Sequence, residues 1–435
     1  MGHDMSQIKQ MSAVALRDEI AAGELTATAL VERCIARIDA REAEVQAWIW
    51  FQPDYALAQA RALDEAFAKG GVVGPLHGLP VGLKDVIDTG DAPTGNGCPV
   101  DDGRQPDKDA RLVTMLRDAG AIIMGKTVST ELAFMHAGKT RNPHNPAHTP
   151  GGSSSGSCAA VGDGMIPLAV GTQTGGSVIR PSSFCGITGF KPTLNAIPRA
   201  GVTLQSHTLD TVGVFGETPA DTALIASALF QDDKLDAELA PITSSRFALL
   251  HPPGWDEATD DLHAAFARVE AALGGRVVRA ELPPAFNDAA NQRAIVNFAE
   301  MAHHYDRYRK AGLDRLGPET QKAMADGAAT PATDYIAALA TGQAMKSGLR
   351  DVFETADFLI CPAATGPAPE GLEFTGDSIF NGLWTFCGTP AVTVPIEVAE
   401  NGLPIGVQIV AAKGRDADLL RVAQWLYEWN AAGRG

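Results

Sequence analysis

Two glycine- and serine-rich segments lie close together in the chain: GGSSSGS occupies residues 151–157 and GTQTGGS occupies residues 171–177. The residues between them have the pattern of a short helix followed by an apolar strand. This strand leads into the second segment, where two glycines precede Ser177. Adjacent glycines let the backbone approach a ligand closely and point its N–H groups at it. The pattern indicates an active site in which Ser177 lies beside developing negative charge.

A serine nucleophile needs a base, because its hydroxyl reacts poorly until a proton is removed. No histidine has an obvious place near Ser177 in the sequence, which leaves a lysine. Lys84 lies in GLPVGLKDVID (78–88), a segment that is turn-rich at first and then apolar. We predict a short strand here, with Lys84 inside it and largely buried. Its amine must be neutral to accept a proton, so its pKa must lie well below the reference value of about 10.4.

The composition sets limits on partners and location. The 435 residues are 45% hydrophobic and 20% charged, with a formal net charge of −17. This is typical of a globular protein, and no apolar run reaches the roughly 18 residues that a membrane helix needs. Basic residues are not clustered, which disfavours nucleic acid as a partner. The N-terminal 20 residues lack the regions of a secretory signal. We therefore expect a cytoplasmic protein without nucleic-acid or membrane partners.

The cysteines and histidines indicate neither a metal site nor a cofactor. The six cysteines include no Cys-x-x-Cys pair, and we interpret them as reduced and mostly buried thiols. No His-Glu-x-x-His motif occurs in the chain.

Three local patterns match known catalytic motifs but are better explained otherwise. GAIIMGKT (120–127) matches a phosphate-binding loop, yet its interior residues are typical of a buried strand. GSSSG (152–156) matches a nucleophile elbow, yet NPHNPAHTP before it cannot form the strand that an elbow requires. Cys185 is more typical of a buried apolar residue than of a thiol nucleophile.

Helical and strand patterns alternate along the chain. Residues 6–70 are helical in pattern, residues 280–350 are again helical, and apolar segments alternate with helices elsewhere. The predicted strands include AIIMG, MIPLAVGT, RFALLHPP, RVVRAELP, DFLICPAAT, AVTVPIEVA and IGVQIVAA. A terminal helix is predicted from Asp416. The alternation indicates an α/β sheet with helices on both faces in one domain.

In several motifs the chain resembles the amidase signature family, whose members hydrolyse amides with a Ser–cisSer–Lys triad. The motifs are GLPVGLKDVIDT, AGAIIMGKT, TPGGSSSGS, GTQTGGSVIRPSSFCGITGFKPT and the late GTPAVTVPI…GLPIGVQIVA. The resemblance implies an α/β fold with a single large domain over residues 1–435, built on a central twisted mixed β-sheet covered by helices on both faces. Its parts would be N-terminal helices at about 6–70, a catalytic core at about 75–216 and the remaining sheet and helices at 217–435.

The resemblance also implies roles for single residues. Lys84 would be the base, Ser153 the bridging serine after a cis peptide bond, and Ser177 the nucleophile that forms an acyl-enzyme. The implied oxyanion hole consists of backbone amides around Thr174, Gly175 and Gly176. Two residues are interpreted as hydrogen-bonding supports of the site: Thr172 and Gln173. No metal and no cofactor are implied.

The position of Arg180 bears on the substrate. Arg180 lies three residues after Ser177, whereas many family members place an arginine two residues after the nucleophile. This version resembles the malonamidase-like small-molecule amidases of the family, in which the equivalent arginine binds the carboxylate of the substrate. We therefore predict hydrolysis of the C–N bond of a small, carboxylate-bearing amide. In the structural alternative, Arg180 pairs with an acidic side chain at a helix start.

Other functions share these motifs. One is the glutaminase-type subunit of a tRNA-dependent amidotransferase, against which the acidity and shorter length of this chain argue. Others are an amidase active on carbamates or esters and a catalytically inactive binding protein, the last disfavoured by the intact triad. The expected ligand is a small-molecule amide, and a homodimer is expected only by analogy.

Overall fold

A mixed β-sheet of eleven strands organises the chain. The structure is a computed structural model and describes residues 11–230 and 245–432 together with Leu235, Leu239 and Ile242. In chain order the strands are β1 (Trp48–Phe51), β2 (Pro80–Lys84), β3 (Ile122–Thr127), β4 (Leu168–Gln173), β5 (Thr188–Lys191), β6 (Thr211–Gly216), β7 (Phe247–Leu249), β8 (Val277–Val278), β9 (Phe358–Pro362), β10 (Ala391–Val398) and β11 (Pro404–Val410). Their order in the sheet is β1-β3-β2-β4-β6-β5-β10-β11-β9-β7-β8. β2 is parallel to β3 and β4, whereas β10 is antiparallel to β5 and β11, so the predicted mixed sheet is confirmed.

The α-helices fill the connections between the strands. They are α1 (Ala13–Ala21), α2 (Ala27–Val45), α3 (Pro53–Gly70), α4 (Arg111–Asp118), α5 (Ser155–Gly162), α6 (Ile179–Cys185), α7 (Pro219–Leu229), α8 (Asp260–Leu273), α9 (Ala289–His304), α10 (Asp306–Gly312), α11 (Pro318–Ala329), α12 (Ala332–Thr355), α13 (Gly382–Cys387) and α14 (Asp416–Ala432). No helix in the described ranges is both long enough and apolar enough to span a bilayer.

The sheet has an apolar core on each face. Successive side chains of a strand point to opposite faces, and in β9 Phe358 and Ile360 belong to one core while Leu359 and Cys361 belong to the other. The first core contains residues of α2, α7, α8 and α14. The second contains residues of α9, α12 and α13. Helices therefore cover both faces, as predicted.

Most predicted elements are confirmed, with three differences. β1 lies within the stretch that was predicted to be helical, because these four residues pair with the edge of β3. The segment RVVRAELP forms only the two-residue strand β8. β5 and β6 were not among the predicted strands, although both are buried and lie between β4 and β10. The predicted start of the N-terminal helices at residue 6 lies outside the described residues.

The fold also decides between the two interpretations of GAIIMGKT and of Cys185. GAIIMGKT forms β3, as its apolar interior predicted, and its Lys126 is buried with its ammonium bound to the hydroxyl of Thr94 at 2.7 Å. Cys185 is buried, and burial raises the pKa of its thiol well above the usual value, so it is not a thiolate nucleophile. All six cysteines, each within the described ranges, are buried and free.

Asp221 joins two helices at one side of the sheet. Its carboxylate accepts hydrogen bonds from the backbone N–H of Val14 at 2.9 Å and from the hydroxyl of Ser12 at 3.1 Å, at the start of α1. It also accepts from the backbone N–H of Thr218 at 3.0 Å, in a capping box that begins α7. One buried carboxylate thus caps both helices.

We predict that Asp221→Ala lowers the free energy of unfolding by at least about 2 kcal/mol, because buried donors lose their acceptor. Asp118→Ala, at an exposed position, should change it by less than about 0.5 kcal/mol. Urea unfolding followed by circular dichroism measures both. Equal effects of the two substitutions would contradict the capping role.

Candidate active site

Lys84 lies at the end of β2, the strand between β3 and β4, and is fully buried. Its Nζ atom is 2.7 Å from the Oγ atom of Ser153 and 2.9 Å from the Oγ1 atom of Thr172. Thr172 comes from the neighbouring parallel strand β4, so the sheet itself sets this second contact. The structure therefore brings together three residues that the sequence analysis singled out.

Burial changes the acid–base chemistry of Lys84. Removal from water disfavours the charged amine and lowers the pKa of Lys84 to about 7, although the carboxylate of Asp210 acts in the opposite direction. An amine with this pKa is substantially neutral near neutral pH. Lys84 therefore has the lowered pKa that a lysine needs to act as a base.

The first glycine- and serine-rich segment holds Ser153 against Lys84. The peptide bond between Gly152 and Ser153 is cis, as the family resemblance implied. The hydroxyl of Ser154 donates to the carbonyl of Thr172 at 3.2 Å, and that of Ser157 donates to the carbonyl of Val170 at 3.1 Å. These bonds fasten the segment and the start of α5 to β4.

Gly156 is required where α5 crosses the sheet. A Cβ atom at this position would lie 2.2 Å from the carbonyl oxygen of Ala47 and 2.4 Å from the backbone nitrogen of Val128. Such contacts are closer than atoms can approach, so the backbone packing excludes any side chain. The glycines and serines of the first segment therefore form neither a linker nor a phosphate cradle.

The second segment forms a braced turn between β4 and α6. Gln173 accepts hydrogen bonds from the backbone N–H groups of Val178 at 2.8 Å and Ile179 at 3.1 Å. Its amide donates to the hydroxyl of Thr385 at 2.9 Å, which in turn donates to the carbonyl of Gly175 at 3.0 Å. The predicted supporting role of Gln173 thus has a specific geometry: it holds both ends of the turn that carries Ser177.

Two further contacts fix the same turn. Thr174 donates its hydroxyl to the buried carboxylate of Asp210 at 2.5 Å. A Cβ atom on Gly176 would lie 2.4 Å from the side-chain oxygen of Asn381 and 2.9 Å from the Cβ atom of Ser378, so a larger residue would displace these neighbours. The predicted oxyanion-hole residues consequently form a rigid turn, and their role in binding an oxyanion stays a prediction.

Arg180 is buried and is hydrogen-bonded to backbone carbonyls rather than to an acidic side chain, and its binding of a substrate carboxylate stays a prediction. Its Nε atom donates to the carbonyl of Thr375 at 2.8 Å, and its Nη2 atom donates to the carbonyl of Gly152 at 2.7 Å. Arg180 forms no ion pair with a carboxylate in the part of the chain that the structure describes. Its Nε and Nη2 atoms are therefore committed to the protein, whereas its Nη1 atom would lie 3.0 Å from a Cβ atom on Gly176. Burial lowers the pKa of Arg180 to about 10, so the guanidinium remains charged at neutral pH.

A cavity of about 300 Å³ opens beside Ser177. Its lining includes the whole turn from Thr174 to Ser177, Arg180, and Arg293 from α9. Burial lowers the pKa of Arg293, and the carboxylate of Asp377, which also lines the cavity, opposes this. Arg293 was not among the predicted site residues, because a single arginine in an amphipathic helix carries no local signal of a site. Two arginines of the cavity thus lie close to the nucleophile turn.

The chain belongs to the amidase family, since the model of that family, described as "Amidase", matches residues 29–420. It is 31% identical over 481 residues to the A subunit of glutamyl-tRNA(Gln) amidotransferase from Chloroflexus aurantiacus, with 98% of each chain covered. It is 30% identical over 475 residues to the same subunit of Picosynechococcus sp., with 96% of this chain and 98% of the relative covered. A crystal structure of an amidase matches with a TM-score of 0.87 and 27% identity over 96% of this chain and all (100%) of that one.

These comparisons confirm the amidase signature fold and an amidohydrolase enzyme. They do not single out the malonamidase-like members of the family. The relatives named above are amidotransferase subunits, so they support the alternative function better than the small-molecule amidase that the sequence analysis preferred.

The pKa of Lys84 gives a pH dependence. Because the base must be neutral, we expect kcat/KM for amide hydrolysis to rise with pH through an apparent pKa of about 7. Lys84→Met should lose at least about 100-fold in rate together with this rising limb. Lys322→Met, an exposed lysine on α11, should keep both. The measurement is a pH–rate profile from about pH 5 to 9, and an unchanged profile in Lys84→Met would contradict the assignment.

Proposed function

We propose that this chain hydrolyses the amide bond of a small, carboxylate-bearing substrate through an acyl-enzyme on Ser177, with Ser153 and Lys84 relaying the proton. The observation that carries the proposal is the buried contact of 2.7 Å between Lys84 and Ser153. Lys126 and Lys191 are also fully buried with lowered pKa values. What supports Lys84 as the base is therefore its contact with Ser153 together with a pKa of about 7.

The proposed reaction begins with attack of the Ser177 hydroxyl oxygen on the amide carbon. The proton of Ser177 passes to Ser153, whose own proton passes to the neutral amine of Lys84. Backbone N–H groups of the turn that Thr174 begins bind the oxyanion. The relay then returns a proton to the leaving nitrogen as the C–N bond breaks. Water hydrolyses the ester on Ser177 through the same relay, which releases the acid and restores the hydroxyl.

The charges of the Ser177 cavity support an anionic group on the substrate. Arg293 has no ion-pair partner among the described residues, and Arg180 has only its Nη1 side uncommitted. Both guanidinium groups lie in the cavity that contains Ser177, and they mark the part of its wall that is suited to a substrate carboxylate. Elsewhere the wall carries carboxylates: Glu319, Glu373 and Asp377. A cavity of about 300 Å³ suits a small molecule of this kind.

Two substrates fit this description, and the relatives favour the first. Glutamine has a carboxamide, a carboxylate and an ammonium group, and Asp377 and Glu373 of the cavity wall are suited to the ammonium. In that case the chain would work with protein partners, as the names of its relatives state for them. A monoamide of a short dicarboxylic acid is the second candidate, favoured by the placement of Arg180. The homodimer expected by analogy stays a prediction.

Ammonia release tests the proposal. The intact protein is assayed with glutamine, malonamate and succinamate, and with the neutral amides propionamide and butyramide. An ester analogue, which releases no ammonia, is followed by the acid that it yields. We expect turnover of at least one acid amide, with kcat/KM at least about tenfold above the neutral amide of the same length, and none in Ser177→Ala. Preference for glutamine would indicate the amidotransferase type. Turnover that persisted in Ser177→Ala, or equal rates on acid and neutral amides, would overturn the proposal.

The two arginines should respond differently to substitution. Arg293→Gln should raise KM for the acid amide by about tenfold or more and leave the neutral amide nearly unaffected, since only the charge contact is lost. Arg180→Gln should lower kcat on both, because Arg180 also holds the carbonyl of Gly152 beside Ser153. Arg279→Gln, at an exposed position, is the matched control. Equal losses on both substrates in Arg293→Gln would contradict its role in binding the carboxylate.

A further inference from the structure

A second cavity lies between the C-terminal half of α12, the end of α13 and the loop after β11. Its volume is about 430 Å³, and we call it the α12 cavity. Its charged lining residues are Lys346 and Arg350 of α12 and Lys413 of the loop. No acidic residue of the described chain lines it. In a protein with a net charge of −17, a cavity lined by positive charge alone needs an explanation.

The three cations have no counter-ion among the residues that the structure describes. Arg350 donates to the hydroxyl of Ser347 at 3.2 Å, and none of the three forms an ion pair with a carboxylate of those ranges. Arg350 and Lys413 are exposed, and Lys346 is half-buried. No carboxylate of the described residues therefore compensates the positive charge that lines the α12 cavity.

Partial burial makes the positive charge at the α12 cavity less favourable. Lys346 is half-buried, and burial lowers its pKa, with the nearby charge of Lys413 acting in the same direction. Behind the cavity wall, the fully buried ammonium of Lys191 donates to the carbonyl oxygens of Pro192, at 3.1 Å, and Thr389. The carboxylate of Asp416 offsets the charge of Lys191, so the repulsion at the α12 cavity is that among its three lining cations, and an anion inside it would relieve this repulsion.

We propose that the α12 cavity binds a compact polyanion, a small molecule with two or more negative charges on phosphate or carboxylate groups. Lys346 and Arg350 are four residues apart, so both project from the same side of α12. Lys413 faces them from the loop, and the amide of Gln343 and the hydroxyl of Ser347 add neutral polar groups. Charge-assisted hydrogen bonds from these groups would hold the anion.

Calorimetric titration of the intact protein with pyrophosphate and with citrate tests this site. We expect saturable binding of one equivalent at low salt, weakening as sodium chloride is added. Lys346→Gln and Lys413→Gln should each weaken it by about tenfold or more. Arg350→Gln is a third variant at an exposed position, in case Lys346→Gln disturbs the fold. Stronger binding of pyrophosphate would identify a phosphate ligand, and stronger binding of citrate a polycarboxylate.

Two control variants separate this site from general charge effects and from the Ser177 cavity. Lys69→Gln makes the same change of charge on the exposed surface of α3 and should leave the affinity unchanged. Arg293→Gln removes a cation of the Ser177 cavity and should also leave it unchanged. The proposal is overturned if neither anion binds saturably, if Lys346→Gln and Lys413→Gln bind as wild type does, or if Arg293→Gln abolishes binding while they retain it.

Discussion

The dehydration of one amine is the constraint on which the rest of this site depends. Lys84 ends a central strand whose neighbours on both sides are also strands, so no water shell surrounds its Nζ atom. Because the folded protein lowers the pKa of Lys84 to about 7, the unfolded chain binds this proton more readily between about pH 7 and 10. The contribution of Lys84 therefore makes stability fall as pH decreases through that range. The hydroxyl of Ser153 lies 2.7 Å from this dehydrated amine.

The two glycine- and serine-rich segments, which carry Ser153 and Ser177, are held in place in different ways. The first is fastened to β4 by its own hydroxyls, and Gly156 lets it lie directly on the sheet. The second is held by its own Gln173 and, from outside, by Asp210 and Thr385, which come from separate parts of the chain. Arg180 joins the two segments. It lies in α6, directly after the second segment, and its guanidinium donates to the carbonyl of Gly152 in the first. The geometry of the relay is thus set by contacts that are distant in sequence.

Site residues that lie in local motifs could be predicted from the sequence, whereas contacts between residues distant in sequence could not. Lys84 and Ser177 lie in local motifs whose residue types indicate their chemistry, whereas Ser153 was assigned through the family resemblance. The apolar interior of GAIIMGKT was enough to identify β3. Arg293 could not be predicted, because only the packing of α9 against the nucleophile turn brings it to the cavity. The partners of Arg180 were also beyond local patterns, since Thr375 is 195 residues away in sequence. β1 was missed because four apolar residues between two helices show no period of their own, and pairing with β3 decides their structure.

The charge state of Lys84 is the central claim, and nuclear magnetic resonance can measure it directly. Protein labelled with ¹³C at the lysine Cε positions would be titrated from about pH 5 to 11, and the Lys84 signal identified by its absence in Lys84→Met. The account predicts a midpoint near 7 for this signal. A midpoint above about 10, the range of an ordinary lysine, would mean that the amine is charged at neutral pH and cannot be the base.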